Sequence, residues 1–292
     1  MTFKSSVAYG RGTVHIDDDD GDLLLGADEL IELIDAPGYQ PPVLPAIALE
    51  IYQLARSPDL DLRQVLRLLE RDPMVAARVL RVAQSPMYAT RMPVTSLADA
   101  LQRLGVEMLA RIVLEVSAGL TLFRAPGYEG PMEQVRRHST ATAYLARAVA
   151  HATKQPTEPA FLCGLLHDVG IVASLLVFAR HRRGRPPPRF EDVWPVVEPL
   201  HETVSDRLAR LWNLPDDVRR VIGHHHLRGV SAIDPLAGAV FVGGSLATEL
   251  GCGLEHVDEP VVIGAVRDAL GFPPAAFDEL TAYGRSVIAQ LA

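Results

Sequence analysis

Helix start signals recur along this sequence, and each is followed by apolar residues at helical spacing. Asp61 and Ser96 each precede a polar partner three residues later in a capping-box arrangement, and Asp72 precedes Pro73, which suits a first helical turn. Sustained alternation of apolar and polar residues bounded by hairpin turns, which would indicate strands, is found nowhere in the chain. The sequence therefore predicts an all-α fold.

The character of the sequence changes along the chain. Residues 1–22 are polar and end in an acidic run, a composition that predicts a flexible tail. A connection with proline and glycine, Ala125 to Pro131, predicts a boundary between a helical first half, 23–128, and a second helical half, 129–252, which is followed by helices in 253–292. From the boundary onward, helices are predicted near 133–151, 158–180, 191–212, 215–226, 235–250, 258–270 and 274–290.

Three helical features stand out in the first half. Ala27 to Ala36 has one apolar face and predicts a short amphipathic helix. Gly105 is placed to end a helix, and Glu107 to Leu122 predicts a longer, very apolar helix that is buried.

Charge and cysteine content limit the partners and the compartment. The chain has 28 basic and 36 acidic residues, and a net charge of −8 repels nucleic-acid phosphates and anionic membranes, so neither is an expected partner. Cys163 and Cys252 lie in apolar pattern without a C-x-x-C motif, which fits a reducing compartment. No segment reads as the ~20 consecutive apolar residues that span a bilayer. We expect a soluble, cytoplasmic protein.

Three of the ten histidines lie on apolar helical stripes. Helical spacing directs His138, His201 and His225 toward the interior, where an unpaired imidazole is uncommon. The same spacing rotates His224 and His226 off the stripe that carries His225.

The strongest local signal is the segment GLLHDVG, in which His167 and Asp168 are adjacent inside an otherwise apolar helix. Neutral imidazole and carboxylate groups suit Zn, Mn or Fe, and an aspartate can bridge two ions and help to form hydroxide from bound water. A structural His–Asp hydrogen bond in a core explains the pair equally well, so the sequence leaves both interpretations open.

The remaining histidines and both tryptophans read as ordinary structural residues. His151, His181 and His256 fall near helix ends or in loops and are expected on the surface, whereas Trp194 and Trp212 are expected to pack in apolar helical surroundings. The stretch RHRRGRPPPR is the basic cluster of the chain. We expect a solvated loop there, with contact to a phosphate-bearing ligand as the alternative.

These motifs together resemble the HD superfamily of metal-dependent phosphohydrolases. The segment GLLHDVG resembles the HD signature, and LHETVSDRLARLWNLPDDVRRVIGHHH resembles the part that follows, with a histidine, a W-x-L-P turn and a histidine pair. Three upstream segments, VLPAIALEIYQLARSPD, LLERDPMVAARVLRVAQSPMY and VTSLADALQRLGVEMLARIVL, resemble the helical N-terminal half of HDOD domains. The resemblance covers roughly residues 42–250 and implies a multi-helical HD-type bundle preceded by that helical half.

The resemblance also implies a ligand set and shows two departures. A divalent ion, whether Mn, Fe, Zn or Mg, would be held at low occupancy, and Asp168 would be catalytic only if the site is active. The family closes its site with an aspartate where this chain has Gly244, and its common asparagine is replaced by Gln84. The residues that match the family's metal ligands are His138, His167, Asp168, His201 and His225, the last with His226 beside it.

Three functions stay open at this point. The favoured one is a bacterial signalling module with a degenerate metal site, which would bind a protein partner or a small nucleotide. The alternative is a metal-dependent phosphohydrolase or phosphodiesterase acting on a nucleotide-type phosphoester, although the GYP motif of cyclic-di-GMP hydrolases is not visible after the HD pair. A third is a structural metal site without turnover.

Overall fold

The computed structural model describes residues 25–44, 46–55, 61–85, 94–181, 186–227, 234–254, 260–273 and 276–291. Within those ranges every regular element is helical and no strand is present, which confirms the all-α prediction. The helices are α1 Ala27–Asp35, α2 Ala46–Ala55, α3 Leu62–Glu70, α4 Pro73–Ala83, α5 Leu97–Thr121, α6 Glu129–Ala152, α7 Thr157–Leu166, α8 Val169–His181, α9 Phe190–Leu211, α10 Asp216–Ile222, α11 Pro235–Ala247, α12 Pro260–Ala269 and α13 Ala276–Gln290.

Local sequence signals account for the helix ends in the first half. The Ser96 hydroxyl accepts a hydrogen bond from the backbone N–H of Asp99, whose carboxylate accepts one from the backbone N–H of Ser96, so the predicted capping box is confirmed. Asp72 accepts from the backbone N–H of Val75 at the start of α4. Gly105 has a φ of 73° and interrupts α5, because a left-handed residue cannot continue the helix.

The packing of the helices in the second half determines where the inward histidines lie. Helix α6 is central, since it packs against α7, α11 and α13, while α8 packs along α9 and α10 closes against α9. Both α7 and most of α8 are buried on all sides, which explains why their sequence is apolar without helical periodicity. Helix α9 instead exposes one face and carries His201 on its buried face, while His138 lies in a stretch of α6 that is buried throughout.

The structure corrects three predicted helix boundaries. The single helix predicted at 158–180 is divided into α7 and α8 by a turn at His167 and Asp168. The helix predicted at 215–226 ends at Ile222, with Gly223 as its C-cap. The helix predicted at 235–250 ends at Ala247 and continues as a π-helical segment, Thr248–Cys252, which carries a left-handed glycine, Gly251.

Two segments are long and apolar enough to cross a membrane by length and composition alone, contrary to the expectation from the sequence. They are Thr157–His181 and Pro235–Cys252. The most apolar window of the first is entirely buried inside the protein, and 61% of the window in the second is buried. Buried core helices of this kind are weak evidence for membrane insertion.

A buried ion pair joins helices on either side of the predicted domain boundary. The Arg111 side chain on α5 is 3% exposed and donates a hydrogen bond to the Glu158 carboxylate on α7. Breaking a buried pair on one side leaves an uncompensated charge, so this contact ties α5 to the second half. The division into 23–128, 129–252 and 253–292 stays a prediction.

Candidate metal centre

Six polar side chains from four separate parts of the fold meet in the interior of the second half. His138 comes from the middle of α6, and His201 comes from α9. His167 and Asp168 form the turn between α7 and α8, and two further histidines follow the end of α10. We call this set the His/Asp cluster: His138, His167, Asp168, His201, His225 and His226.

One side of the cluster, the α6 side, consists of His138, His167 and the Oδ2 atom of Asp168. The Nε2 atoms of the two histidines are 3.2 Å apart. Asp168 Oδ2 lies 3.2 Å from His167 Nε2 and 3.6 Å from His138 Nε2. Three ligand-type atoms therefore surround one point.

The other side, the α9 side, consists of His201, His225, His226 and the Oδ1 atom of Asp168. His201 Nε2 is 3.2 Å from His225 Nε2 and 3.1 Å from His226 Nε2. Asp168 Oδ1 lies 3.4 Å from His225 Nε2 and 3.7 Å from His201 Nε2. One carboxylate thus faces both sides, one oxygen to each.

Backbone carbonyls determine which ring nitrogen carries the proton. The Nδ1 atoms of His138 and His167 donate to the carbonyls of Cys252 at 3.0 Å and Gly164 at 2.9 Å. In the same way His225 Nδ1 donates to the Ile222 carbonyl at 2.9 Å, and His201 Nδ1 donates to the Glu198 carbonyl. A neutral imidazole has one N–H, so each of these four rings turns a bare Nε2 lone pair toward the cluster.

The surroundings of His138, His201 and Asp168 keep these three groups in the protonation states that metal ligands require. It lowers the pKa of His138 to about 4 against the opposing attraction of Asp168, and it lowers the pKa of His201 to about 4 as well. For Asp168, burial acts to raise the pKa, but the neighbouring imidazoles, His167 first, hold it well below its usual range. At neutral pH His138 and His201 are therefore neutral and Asp168 is ionised.

The arrangement fits a metal centre better than a hydrogen-bonded core. Two Nε2 lone pairs at 3.2 Å repel each other, because neither atom carries a proton to donate. Atoms that each lie ~2.0–2.2 Å from one ion are separated from each other by about 3.0–3.5 Å, and the observed nitrogen–nitrogen distances fall within that range. The donor set of imidazoles and one carboxylate suits Zn, Mn or Fe.

A close contact between α8 and α9 fixes the position of the α6 side of the cluster relative to the α9 side. A Cβ atom on Gly170 would lie 2.0 Å from the His201 carbonyl oxygen, so this position accepts only glycine. The Ser205 hydroxyl on α9 accepts a hydrogen bond from the Gly170 N–H at 2.9 Å and donates one to the His167 carbonyl at 2.8 Å. This hydroxyl therefore ties the turn formed by His167 and Asp168, which we call the HD turn, to the helix that carries His201.

The cluster lines a cavity of about 50 Å³. Apolar side chains, including Val240, Phe241 and Leu254, line the cavity together with the cluster. Among the described residues that line it there is no lysine or arginine. This volume exceeds the ~10–15 Å³ that one water needs, so the cavity can admit water or a small ligand to the cluster.

Gly244 lies on α11 directly opposite the α6 side. A Cβ atom there would stand 4.0 Å from His138 Nε2 and 3.7 Å from the Thr142 side chain, both ordinary contacts. A longer side chain at 244 would therefore reach the cluster, in agreement with the alignment of Gly244 to a ligand position. The neighbouring Gly243 differs, since its Cβ would be 2.7 Å from the backbone nitrogen of Ala146.

The structure brings together all five of the histidine and aspartate residues singled out as ligands, and it adds His226. The interpretation of His226 as facing away is wrong, because α10 ends at Ile222 and helical periodicity does not extend to residues beyond it. His224 is exposed, as expected. In the HD-like motif His225 and His226 are adjacent, and this pair was the sequence signal from which His226 could have been predicted as a member of the cluster.

Other residues singled out in the sequence lie as follows. His151 and His181 are exposed, whereas His256 is outside the described residues. Trp212 packs with its indole N–H donating to the Pro42 carbonyl at 3.3 Å, but Trp194 lines the cavity beside the cluster. Gln84 donates its side-chain amide to the Val94 carbonyl at 2.7 Å and so links the end of α4 to the start of α5.

Comparison with known families and solved structures agrees with this geometry. The sequence-family model of the HDOD domain matches residues 42–227. The chain therefore belongs to the HDOD family. A curated relative, an uncharacterised protein of Treponema pallidum (strain Nichols), is 26% identical over 196 residues, which is 63% of this chain. The chain spans 37% of the length of that relative.

Three solved structures have the same fold. An HDOD domain protein of unknown function from Geobacter sulfurreducens is 23% identical with a TM-score of 0.68, covering 91% of this chain and 97% of that one. A candidate metal-dependent phosphohydrolase from Shewanella amazonensis SB2B is 18% identical with the same TM-score and the same coverage. A candidate signal transduction protein from Marinobacter aquaeolei VT8 is 25% identical with a TM-score of 0.63, covering 90% of this chain and 63% of that one.

Proposed function

We propose that this chain is an HDOD signalling module that binds divalent metal in the His/Asp cluster and has no strong hydrolase activity. The observation that carries the proposal is the composition of the cavity. Its described lining has a glycine, Gly244, opposite the α6 side, and it offers no lysine or arginine to neutralise a phosphate in a transition state. The similarity to a candidate signal transduction protein supports the signalling role.

The proposed ligands are the atoms that converge in the structure. His138, His167 and Asp168 would hold an ion on the α6 side, and the three histidines of the α9 side would hold a second one with the other oxygen of Asp168. A bound ion would supply positive charge and Lewis acidity. Imidazole ligands favour Zn, Mn or Fe over Mg, which prefers oxygen.

The expected partner and compartment follow from charge and cysteine chemistry. A net charge of −8 disfavours nucleic acid, so a protein partner or a small nucleotide is the proposed ligand of the module. Cys163 and Cys252 are both buried and free, which fits a reducing cytoplasm.

The second candidate function is a metal-dependent phosphohydrolase. It is favoured by Asp168, whose two oxygens face opposite sides of the cluster and could serve two ions at once. The fold that the chain shares with a candidate phosphohydrolase is compatible with this function but does not demonstrate it.

Metal analysis combined with an activity assay tests the proposal. The purified full chain, loaded with Mn²⁺, is compared with its His167→Ala and Asp168→Ala variants for bound metal and for hydrolysis of bis(p-nitrophenyl) phosphate. We expect bound metal in the parent chain, loss of that metal in both variants, and no Mn²⁺-dependent hydrolysis in any of the three. His181→Ala is the matched control, because His181 is exposed and outside the cluster.

Two outcomes would change the assignment. Mn²⁺-dependent hydrolysis that both variants abolish would overturn the signalling proposal in favour of the phosphohydrolase. Absence of bound metal from the parent chain at saturating Mn²⁺ and Zn²⁺ would overturn the metal centre itself.

A further inference from the structure

The two cluster histidines that follow α10 lie beyond the end of that helix, so other contacts must direct them. Helix α10 ends directly before its C-cap, Gly223, and helical spacing does not set the direction of the residues after it. The Nε2 atom of His225 is nevertheless 3.2 Å from His201 Nε2, and that of His226 is 3.1 Å from the same atom. We call residues 223–226 the histidine segment. The α9 side depends on what holds this segment in place.

Helix α9 holds the histidine segment at both of its ends. A Cβ atom on Gly223 would lie 2.9 Å from Asp206 Cβ, so the segment begins directly against this helix. One turn earlier in α9, the Oε1 atom of Glu202 accepts a hydrogen bond from the backbone N–H of His226 at 2.9 Å. The Glu202 side chain is only 17% exposed, so little solvent competes for this hydrogen bond.

The geometry joins Glu202 to the backbone of the segment and not to an imidazole. Its Oε1 atom is 4.0 Å from His225 Nδ1, beyond hydrogen-bond distance, and that nitrogen donates to the Ile222 carbonyl at 2.9 Å instead. A carboxylate that accepts from a backbone N–H makes one of the stronger hydrogen bonds in proteins. The backbone hydrogen bond is therefore the larger of the two interactions.

The position of Glu202 in the sequence links this anchor to a ligand. Glu202 directly follows His201 in α9. One turn of this helix therefore supplies one Nε2 lone pair to the α9 side and also anchors the segment that supplies two more. Any change in the Glu202 contact would alter the distances from His201 to the other two rings.

We propose that Glu202 is a positioning residue of the α9 side, which holds the His226 backbone so that His225 and His226 direct their Nε2 atoms at the same ion as His201. This inference rests on the proposed metal centre. It assigns the effect to the hydrogen bond that Glu202 accepts and not to the charge of its carboxylate. Groups that orient metal ligands in this way change metal affinity by 10- to 100-fold.

Titration of the full chain with Co²⁺, followed by calorimetry and by visible absorption, tests this role. Glu202→Ala removes the acceptor, so it should lower the affinity of the α9 side about 10- to 100-fold and leave the α6 side unchanged. The absorption of bound Co²⁺ responds to the arrangement of its ligands. The spectrum of the Glu202→Ala variant at saturating Co²⁺ should therefore differ from that of the parent chain.

Two further variants separate positioning from charge and from nonspecific effects. Glu202→Gln removes the charge but keeps a side-chain oxygen that can accept the His226 N–H, so it should restore most of the lost affinity and the parent spectrum. Glu191→Ala is the control, because Glu191 is an exposed glutamate of the same helix outside the cluster. It should bind Co²⁺ as the parent chain does.

The outcomes separate this proposal from the one on which it rests. Equal losses of affinity in Glu202→Gln and Glu202→Ala would assign the effect to charge and overturn the positioning role. Parent-like affinity and spectrum in Glu202→Ala would overturn it as well, and equal weakening of both sides would overturn the assignment to the α9 side. All three results leave the metal centre intact. Failure of Co²⁺ to bind to the parent chain would instead overturn the metal centre, and the role of Glu202 with it.

Discussion

The two sides of the His/Asp cluster share one aspartate but are built differently. The α6 side takes its histidines from a helix and from the HD turn, and it faces a glycine on α11. The α9 side takes two of its three histidines from beyond a helix end, with the Glu202 carboxylate accepting a hydrogen bond from the His226 backbone. The α9 side therefore offers three imidazoles as candidate ligands, whereas the α6 side offers two and faces a glycine.

The contact that joins the two sides should be the least tolerant of change. Gly170→Ala would place a methyl group 2.0 Å from the His201 carbonyl, which forces the HD turn and α9 apart. We expect a loss of about 3 kcal/mol in the free energy of unfolding, measured by urea denaturation, and weaker metal binding on both sides. An unchanged stability would show that the two sides are not held together by this contact.

Acid should destabilise the metal-free protein through both sides alike. His138 and His201 have folded pKa values of about 4, below the ordinary value of 6.5. Their contribution to stability is therefore fully present above pH 6.5 and is lost progressively as pH falls from 6.5 to about 4, by a few kcal/mol in total. Urea denaturation in EDTA between pH 7.5 and 4.5 measures this loss.

A matched variant isolates the histidine contribution from other groups. Glu115 acts in the opposite direction, because burial raises its pKa and its protonation stabilises the fold as pH falls. His138→Gln removes one of the two titrating rings, so its stability should depend less on pH over the same interval. Parallel pH profiles for the parent and the variant would contradict the assignment of a neutral, buried His138.

His226 offers a way to weaken one side selectively. It is less buried than the other cluster histidines, and its Nε2 atom lies 3.1 Å from His201 Nε2 on the α9 side. His226→Ala should lower affinity for the ion of the α9 side by 10- to 100-fold, on the order that loss of one supporting group produces, and should spare the α6 side. Calorimetry should then resolve one unchanged and one weakened site. Equal weakening of both sites would show that the two sides do not bind separately.

Much of the fold could be predicted because its signals are local. The capping box at Ser96, the left-handed Gly105 and the inward stripe that carries His138 all depend on residues within a few positions of each other. Such patterns survive in the folded chain because tertiary packing reinforces them.

The features that the sequence could not predict depend on contacts between segments that are distant in the chain. The break at His167 lies in a region buried on all sides, where no periodicity marks a helix end. Gly170 requires glycine only because α9 passes within contact of it. His226 joins the cluster through the geometry of the chain after Gly223, which helical spacing does not describe.

The smallest expected effect distinguishes two neighbouring glycines of α11: Gly243, where helix packing requires glycine, and Gly244, where it does not. Gly244→Ala should raise the stability of the metal-free protein by ~0.4–1 kcal/mol, because alanine fits there without a clash and lowers the entropy of the unfolded chain. Gly243→Ala in the same helix should instead be destabilising, since its Cβ meets the α6 backbone at 2.7 Å. Urea denaturation of both variants in EDTA measures the contrast. A stability gain at 244 would mean that helix packing does not require glycine there, whereas a loss equal to that at 243 would mean that packing explains both glycines.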